Sequence, residues 1–155
     1  MVAAPTTACA RDDDARKTAR ILAADDRRLT DLVAAWVGKP GVAQTKAERT
    51  LADVVHAFEI VGDAGLASFL DVPTEAPSPE RARDALNAVG LTLHAKVFSD
   101  LLAARGPQGV PHATLLALED RFRALPDPAP TLARFIRAHA AELRLAKIRE
   151  RSIPE

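Results

Sequence analysis

Two segments of this chain pair a histidine with a glutamate at helical spacing, His56-Ala57-Phe58-Glu59 and His139-Ala140-Ala141-Glu142. Residues three apart on a helix share a face, so each pair presents an imidazole and a carboxylate to the same neighbour. Two such faces brought together can bracket a metal ion in a helical bundle, which makes His56, Glu59, His139 and Glu142 the metal-ligand candidates. The di-metal carboxylate bundles use the reverse order, Glu-x-x-His with further glutamates. A local side-chain pair on a half-exposed face is therefore the simpler expectation, with no metal and no cofactor.

Other chemistries find less support. His94 falls in the first turn of an expected helix and His112 beside Pro111 at the start of another, neither next to a nucleophile in sequence. Ser68 lacks the Gly-x-Ser-x-Gly elbow that exposes a catalytic serine on a strained turn, and Ser99 sits mid-helix. Gly106-Pro107-Gln108-Gly109 has no following Lys-Ser/Thr, so it is a turn and not a phosphate loop. Asp63, Asp71 and Glu75, with the glycines at 62 and 65, could form an acidic pocket with open backbone. Arg144, Lys147, Arg149 and Arg151 make a basic end, which the dipole of a helix C-terminus accounts for. No aromatic residues interleave them, as single-strand binding would require, so direct nucleic-acid contact is not expected.

The elements that must carry these residues are helical. Apolar Ile21, Leu22, Leu29, Leu32, Val33 and Trp36 recur at three- and four-residue spacing, the period of a buried helical stripe. Asp12, Asp13 and Asp14 suit a helix start, which leaves residues 1–11 as a disordered N-terminus. Asp25-Asp26 divides the segment, and Gly38-Lys39-Pro40-Gly41 stops it. Thr45-Lys46-Ala47-Glu48 has the form of a capping box, opening a helix that carries Leu51, Val54, Val55 and Phe58 and ends at Gly62. A short apolar turn, Leu66 to Leu70, precedes a proline-marked loop. Ser78-Pro79-Glu80 is a strong helix start, Gly90 a left-handed stop. Helices carrying Val97 and Leu101, then Leu115 and Phe122, then Leu132, Ile136 and Leu143 complete the chain. No alternating β-branched stretch appears. The expectation is an all-α single compact domain of six to eight helices over residues 12–150, with 151–155 a tail.

Three blocks carry a family likeness: Glu59 through Leu70 (EIVGDAGLASFL), ERARDALNAVGLTLHAKVFSDLL, and LALEDRFRALPDPAPTLARFIRAHAAEL. Their order resembles the DNA-mimic-protein-like family, a bacterial all-helical domain of unknown function. The likeness spans roughly residues 45–145, most of a one-domain chain. In the family's most distinctive motif, Asn-Gly-Gly-Phe and then Gln, this chain has Asp63 for Asn, Ala64 for the first Gly, Leu66 for Phe and Ser68 for Gln. Gly65 and Phe69 survive. The resemblance implies the helical fold, and a mode of action in which carboxylates imitate DNA phosphates to engage a DNA-binding protein.

Charge tempers that implication. The chain has 21 Lys+Arg against 21 Asp+Glu, so no whole-molecule field favours a phosphate-binding groove. Residues 51–100 nevertheless hold three Lys/Arg against eight Asp/Glu, and residues 131–155 six against three. The single cysteine, Cys9, excludes an internal disulfide or a cysteine-based zinc site. Neither a signal-peptide pattern nor a run long enough to span a membrane is present, which gives a cytoplasmic expectation. The functional expectation is a non-enzymatic protein-interaction domain. Its partner is a protein, a DNA-binding protein if the resemblance extends that far, with a homodimer left open. Glu59, Asp63, Gly65, Phe69, Asp71 and Glu75 are the partner-facing residues. The alternative, from another class, is a metal-dependent helical-bundle enzyme built on the two His-x-x-Glu pairs.

Overall fold

Seven α-helices and two short 3-10 turns follow one another in the computed structural model, which describes residues 7–71 and 77–149. Helices α1 (Thr7–Leu22) and α2 (Asp26–Val37) are separated where the carboxylate of Asp25 accepts the backbone N–H of Arg28 at 3.0 Å. Helix α3 (Lys46–Asp63) opens with the reciprocal cap: Glu48 N–H donates to the Thr45 hydroxyl, and the Glu48 carboxylate accepts from the Thr45 N–H. A 3-10 turn, Leu66–Phe69, tucks beneath α3. Helix α4 (Pro79–Val89) begins at the Ser78 cap and ends at Gly90, whose φ of 92° is the left-handed stop expected there. Helices α5 (Thr92–Ala104), α6 (His112–Arg123) and α7 (Ala129–Ala138) follow, and a 3-10 turn spans Leu145–Lys147. The all-α, single-domain expectation is met; no strand occurs among the described residues.

The helices meet pairwise, α4 on α5, α2 on α7, α3 on α4 and α2, and α5 on α6. One apolar core joins them, with Leu29 and Val33 from α2, Val54 and Ala57 from α3, Leu86 from α4, Phe98 and Leu101 from α5 and Ile136 from α7 all buried. Trp36 is buried too, as its place in the stripe implies.

Three boundaries depart from the sequence reading. Helix α1 starts at Thr7, so Asp12, Asp13 and Asp14 lie inside it, exposed, and residues 7–11 belong to the helical body. Gly62 lies within α3; the stop comes at Ala64 and Gly65, whose N–H groups both donate to Ile60 O, at 2.9 and 3.0 Å. Helix α7 ends at Ala138, so the basic residues beyond it are not a helix terminus and need another account. The disordered segment expected at 1–6 and the tail at 151–155 lie outside the described residues.

Arg144 supplies that account. The Glu48 carboxylate is fully buried and accepts from the backbone N–H of Gln44 at 2.8 Å and of Thr45 at 3.0 Å. It also accepts from Arg144, through the backbone N–H at 3.2 Å, Nε at 2.8 Å and Nη2 at 2.7 Å. The guanidinium donates further to Val42 O and Gln44 Oε1, both at 2.7 Å, and lies 6.0 Å from the Trp36 ring centre. One arginine therefore ties the segment after α7 to the start of α3. Leu143, Leu145 and Ile148 are buried beside it.

Candidate binding groove

An open groove lies between α3 and the connection that leads into it. Val37, Gly38, Lys39, Pro40, Gly41 and Ala43 form one wall, and Ala52, His56, Glu59 and Ile60 of α3 form the other, around about 570 Å³. Local sequence builds both walls. Pro40 and Gly41 cannot continue α2, and the capped start of α3 fixes the far end of the bend. Because Ala52, His56, Glu59 and Ile60 recur at helical spacing, they form one stripe. Asp63 lies one turn beyond Glu59 on the same side. The groove thus has an apolar floor and a half-buried imidazole. Its α3 wall carries the exposed carboxylate of Glu59, with exposed Asp63 one turn further along the helix outside the lining, and Lys39 belongs to the other wall.

The structure divides the residues expected to face a partner. Glu59, Asp63 and Asp71 are exposed, though only Glu59 lines the groove; Glu75 lies outside the described residues. Gly65 and Phe69 are buried and cannot face a partner. Phe69 packs edge-on against Phe98, ring centres 4.9 Å apart. Gly65 has φ of 78°, and a Cβ there would fall 2.4 Å from Glu119 Oε1, the oxygen that accepts the Leu66 N–H at 2.7 Å. The surviving positions of the family-like motif are thus packing requirements. Bare backbone at 65 admits the carboxylate that holds the 3-10 turn in place. Sequence reasoning missed Glu119, since 53 residues separate it from Leu66 and nothing local marks the pair.

The metal candidates do not converge. His56 and Glu59 line the groove, but His139 follows the end of α7, stacks on Phe135 at 4.0 Å and contacts Phe135 O through Nδ1 at 3.0 Å. Glu142 is exposed in the next turn. Among the described residues, no three His, Cys, Asp or Glu side chains gather as metal ligands. His139 and Glu142 follow α7, which packs against α2, and neither lines the groove that holds His56 and Glu59.

Much of the acidic charge in residues 51–100 is already met by basic neighbours. Asp53 pairs with Arg81 at 2.5 Å, Asp84 with Arg83 at 2.8 Å, and Asp100 with both Lys96 at 3.2 Å and Arg121 at 2.5 Å. Hydrogen bonds from Arg121 and Lys96 hold the Asp100 carboxyl below its ordinary range. On the basic side, Lys147 and Arg149 edge a second cleft of about 380 Å³ beside Trp36 and Lys39; Arg151 is outside the described residues. Cys9 is exposed, and among the described residues no helix is long and apolar enough to cross a membrane. Compared with family models, with curated proteins and with solved structures, the chain matches none.

Proposed function

We propose that this chain is a non-catalytic protein-interaction domain whose groove between α3 and the 38–43 connection receives an amphipathic, basic segment of a protein partner. The observation that carries the reading is the composition of that groove: an apolar floor of Val37, Pro40, Ala43 and Ile60 with Glu59 on the α3 wall and exposed Asp63 one turn beyond it. Apolar side chains of the guest fill the floor, and its Lys or Arg residues meet the two carboxylates. Apolar contact supplies most of the affinity in such recognition, while charge sets orientation and association rate.

The resemblance to the DNA-mimic-protein-like family points to the same kind of guest, a basic surface of a DNA-binding protein. A lattice of phosphate-like carboxylates is the less favoured means. Asp53, Asp84 and Asp100 are occupied by Arg81, Arg83, Lys96 and Arg121. Phosphate mimicry draws its affinity from dense uncompensated charge, whereas a groove with two local acids does not need it.

The test is a binding titration of a labelled peptide of alternating leucine and lysine pairs against wild-type protein and a Glu59→Lys/Asp63→Lys double variant. The reading expects at least a tenfold weaker association for the variant, with the gap narrowing as salt rises. Equal binding by both proteins would remove the groove as the interface.

A further inference from the structure

A further cavity, of about 250 Å³, opens between α3, α5 and α6 and shares no lining residue with the groove. Three aromatic rings form its interior: Phe58 lies 5.2 Å from both His94 and Phe122, and His94 lies 5.0 Å from Phe122, edge to face. His94 is 4% exposed, and neither of its ring nitrogens has a hydrogen bond among those found in the described residues. No buried side-chain nitrogen or oxygen there lacks a partner, so the small accessible part of His94 includes its ring nitrogens. His94 is one of the residues that line this cavity. Burial pushes the ring below its ordinary pKa of 6.5, which keeps it neutral and able to donate from one nitrogen and accept at the other.

At the mouth stands Arg123, its side chain 53% exposed. Its contacts to the protein are long, 3.4 Å from Nη2 to Val61 O and 3.8 Å to the Glu119 carboxylate. Glu119 is committed to the Leu66 N–H. Arg123 also lines the cavity, and its guanidinium fork, which binds carboxylates through two parallel hydrogen bonds, has no short partner among these contacts.

Gly62 adds an independent observation. It lies in α3 with helical backbone and meets nothing within 4 Å where a Cβ would stand. Neither conformation nor packing requires glycine, although glycine in a helix costs up to about 1 kcal/mol relative to alanine. It is one turn from Phe58, on the same face, and lines the cavity. A side chain there would narrow the entrance.

We propose that this cavity binds a small aromatic carboxylate carrying a polar group at the far end of its ring. The ring lies against Phe58 and Phe122, the carboxylate on Arg123, and the polar substituent reaches His94. The volume is just under the range of drug-sized clefts, about 300–1,000 Å³, which limits the guest to one ring with its substituents. The site is separate from the α3 groove and does not depend on it.

The probe is 4-hydroxybenzoate, followed through the His94 ring resonances by NMR. Saturable shifts are expected. Benzoate should bind several-fold more weakly, and 4-hydroxybenzylamine should give no saturable shift. Gly62→Leu should abolish binding with Tm unchanged or raised, and Arg123→Gln, a surface change, should weaken it at least tenfold. The proposal is overturned by the lack of a saturable shift with 4-hydroxybenzoate, by equal binding of the amine, or by wild-type affinity in either variant.

Discussion

Glu48 is where one residue does most for this fold. Burial alone would raise its pKa; hydrogen bonds from the Arg144 side chain and from the Gln44, Thr45 and Arg144 backbone outweigh that and lower it from 4.5 to about 2. Arg144 is raised in turn by its hydrogen bonds to Glu48. A carboxyl with a depressed folded-state pKa stabilises fully above its ordinary value, and the contribution is lost as pH falls from 4.5 toward about 2. Acid titration of Tm should therefore show a loss across that interval that a Glu48→Ala variant lacks. At neutral pH the variant should be less stable by roughly 1–3 kcal/mol in urea unfolding, the cost of leaving the Gln44, Thr45 and Arg144 N–H groups without their acceptor.

His94 has a linkage of the same sign at higher pH. Its folded-state pKa lies below the ordinary 6.5, so the unfolded chain takes up the proton first. Stability should be level above 6.5 and fall as pH drops from there toward the folded value. An NMR titration of the histidine Cε1 protons should find His94 titrating at lower pH than 6.5; a midpoint at or above that value would contradict its burial among Phe58 and Phe122.

At the scale of elements, the two glycines near the end of α3 divide by role. Gly65 combines a positive φ with a carboxylate where its Cβ would be, so Gly65→Ala should cost roughly 1–3 kcal/mol. Gly62 has helical backbone and open space, so Gly62→Ala should stabilise by up to about 1 kcal/mol. Equal effects in thermal melts would mean that the stop at Ala64 is misassigned. Local signals made much of this element pattern readable. The Thr45–Glu48 box, the Ser78-Pro79 start and the Gly90 stop act within a few residues of themselves, and each stands where the sequence places it. Gly62 misled because a glycine near an expected helix end reads as its terminator, whereas the stop lies at Ala64 and Gly65. The basic end misled for a related reason. Arg144 answers a carboxylate 96 residues away, and no local pattern records such a partner.

That long-range tie reaches the whole molecule. Removing residues 144–155 takes away Arg144, Leu145 and Ile148, of which the two apolar side chains are buried and contribute roughly 1.5–3 kcal/mol each. The truncated chain should lose much of its cooperative melt by circular dichroism. A gel-shift assay with that truncation would report folding and not nucleic-acid contact. The acidic centre likewise changes meaning in three dimensions, since Asp53, Asp84 and Asp100 are paired with basic neighbours while Glu59 lines the groove and Asp63 is exposed one turn beyond it. Sequence spacing placed His56 and Glu59 on one face of α3. The opposing wall of Lys39, Pro40 and Gly41 was readable only as a stop, because a groove is a relation between segments.

The most direct test of the interaction reading is a map of backbone amide shifts as the leucine–lysine peptide is titrated into isotopically labelled protein. Saturable shifts are predicted at residues 37–43 and at Ala52, His56, Glu59 and Ile60, with His94, Phe122 and Arg123 of the aromatic cavity undisturbed. Shifts confined to the Trp36–Arg149 cleft, or none that saturate, would contradict that reading.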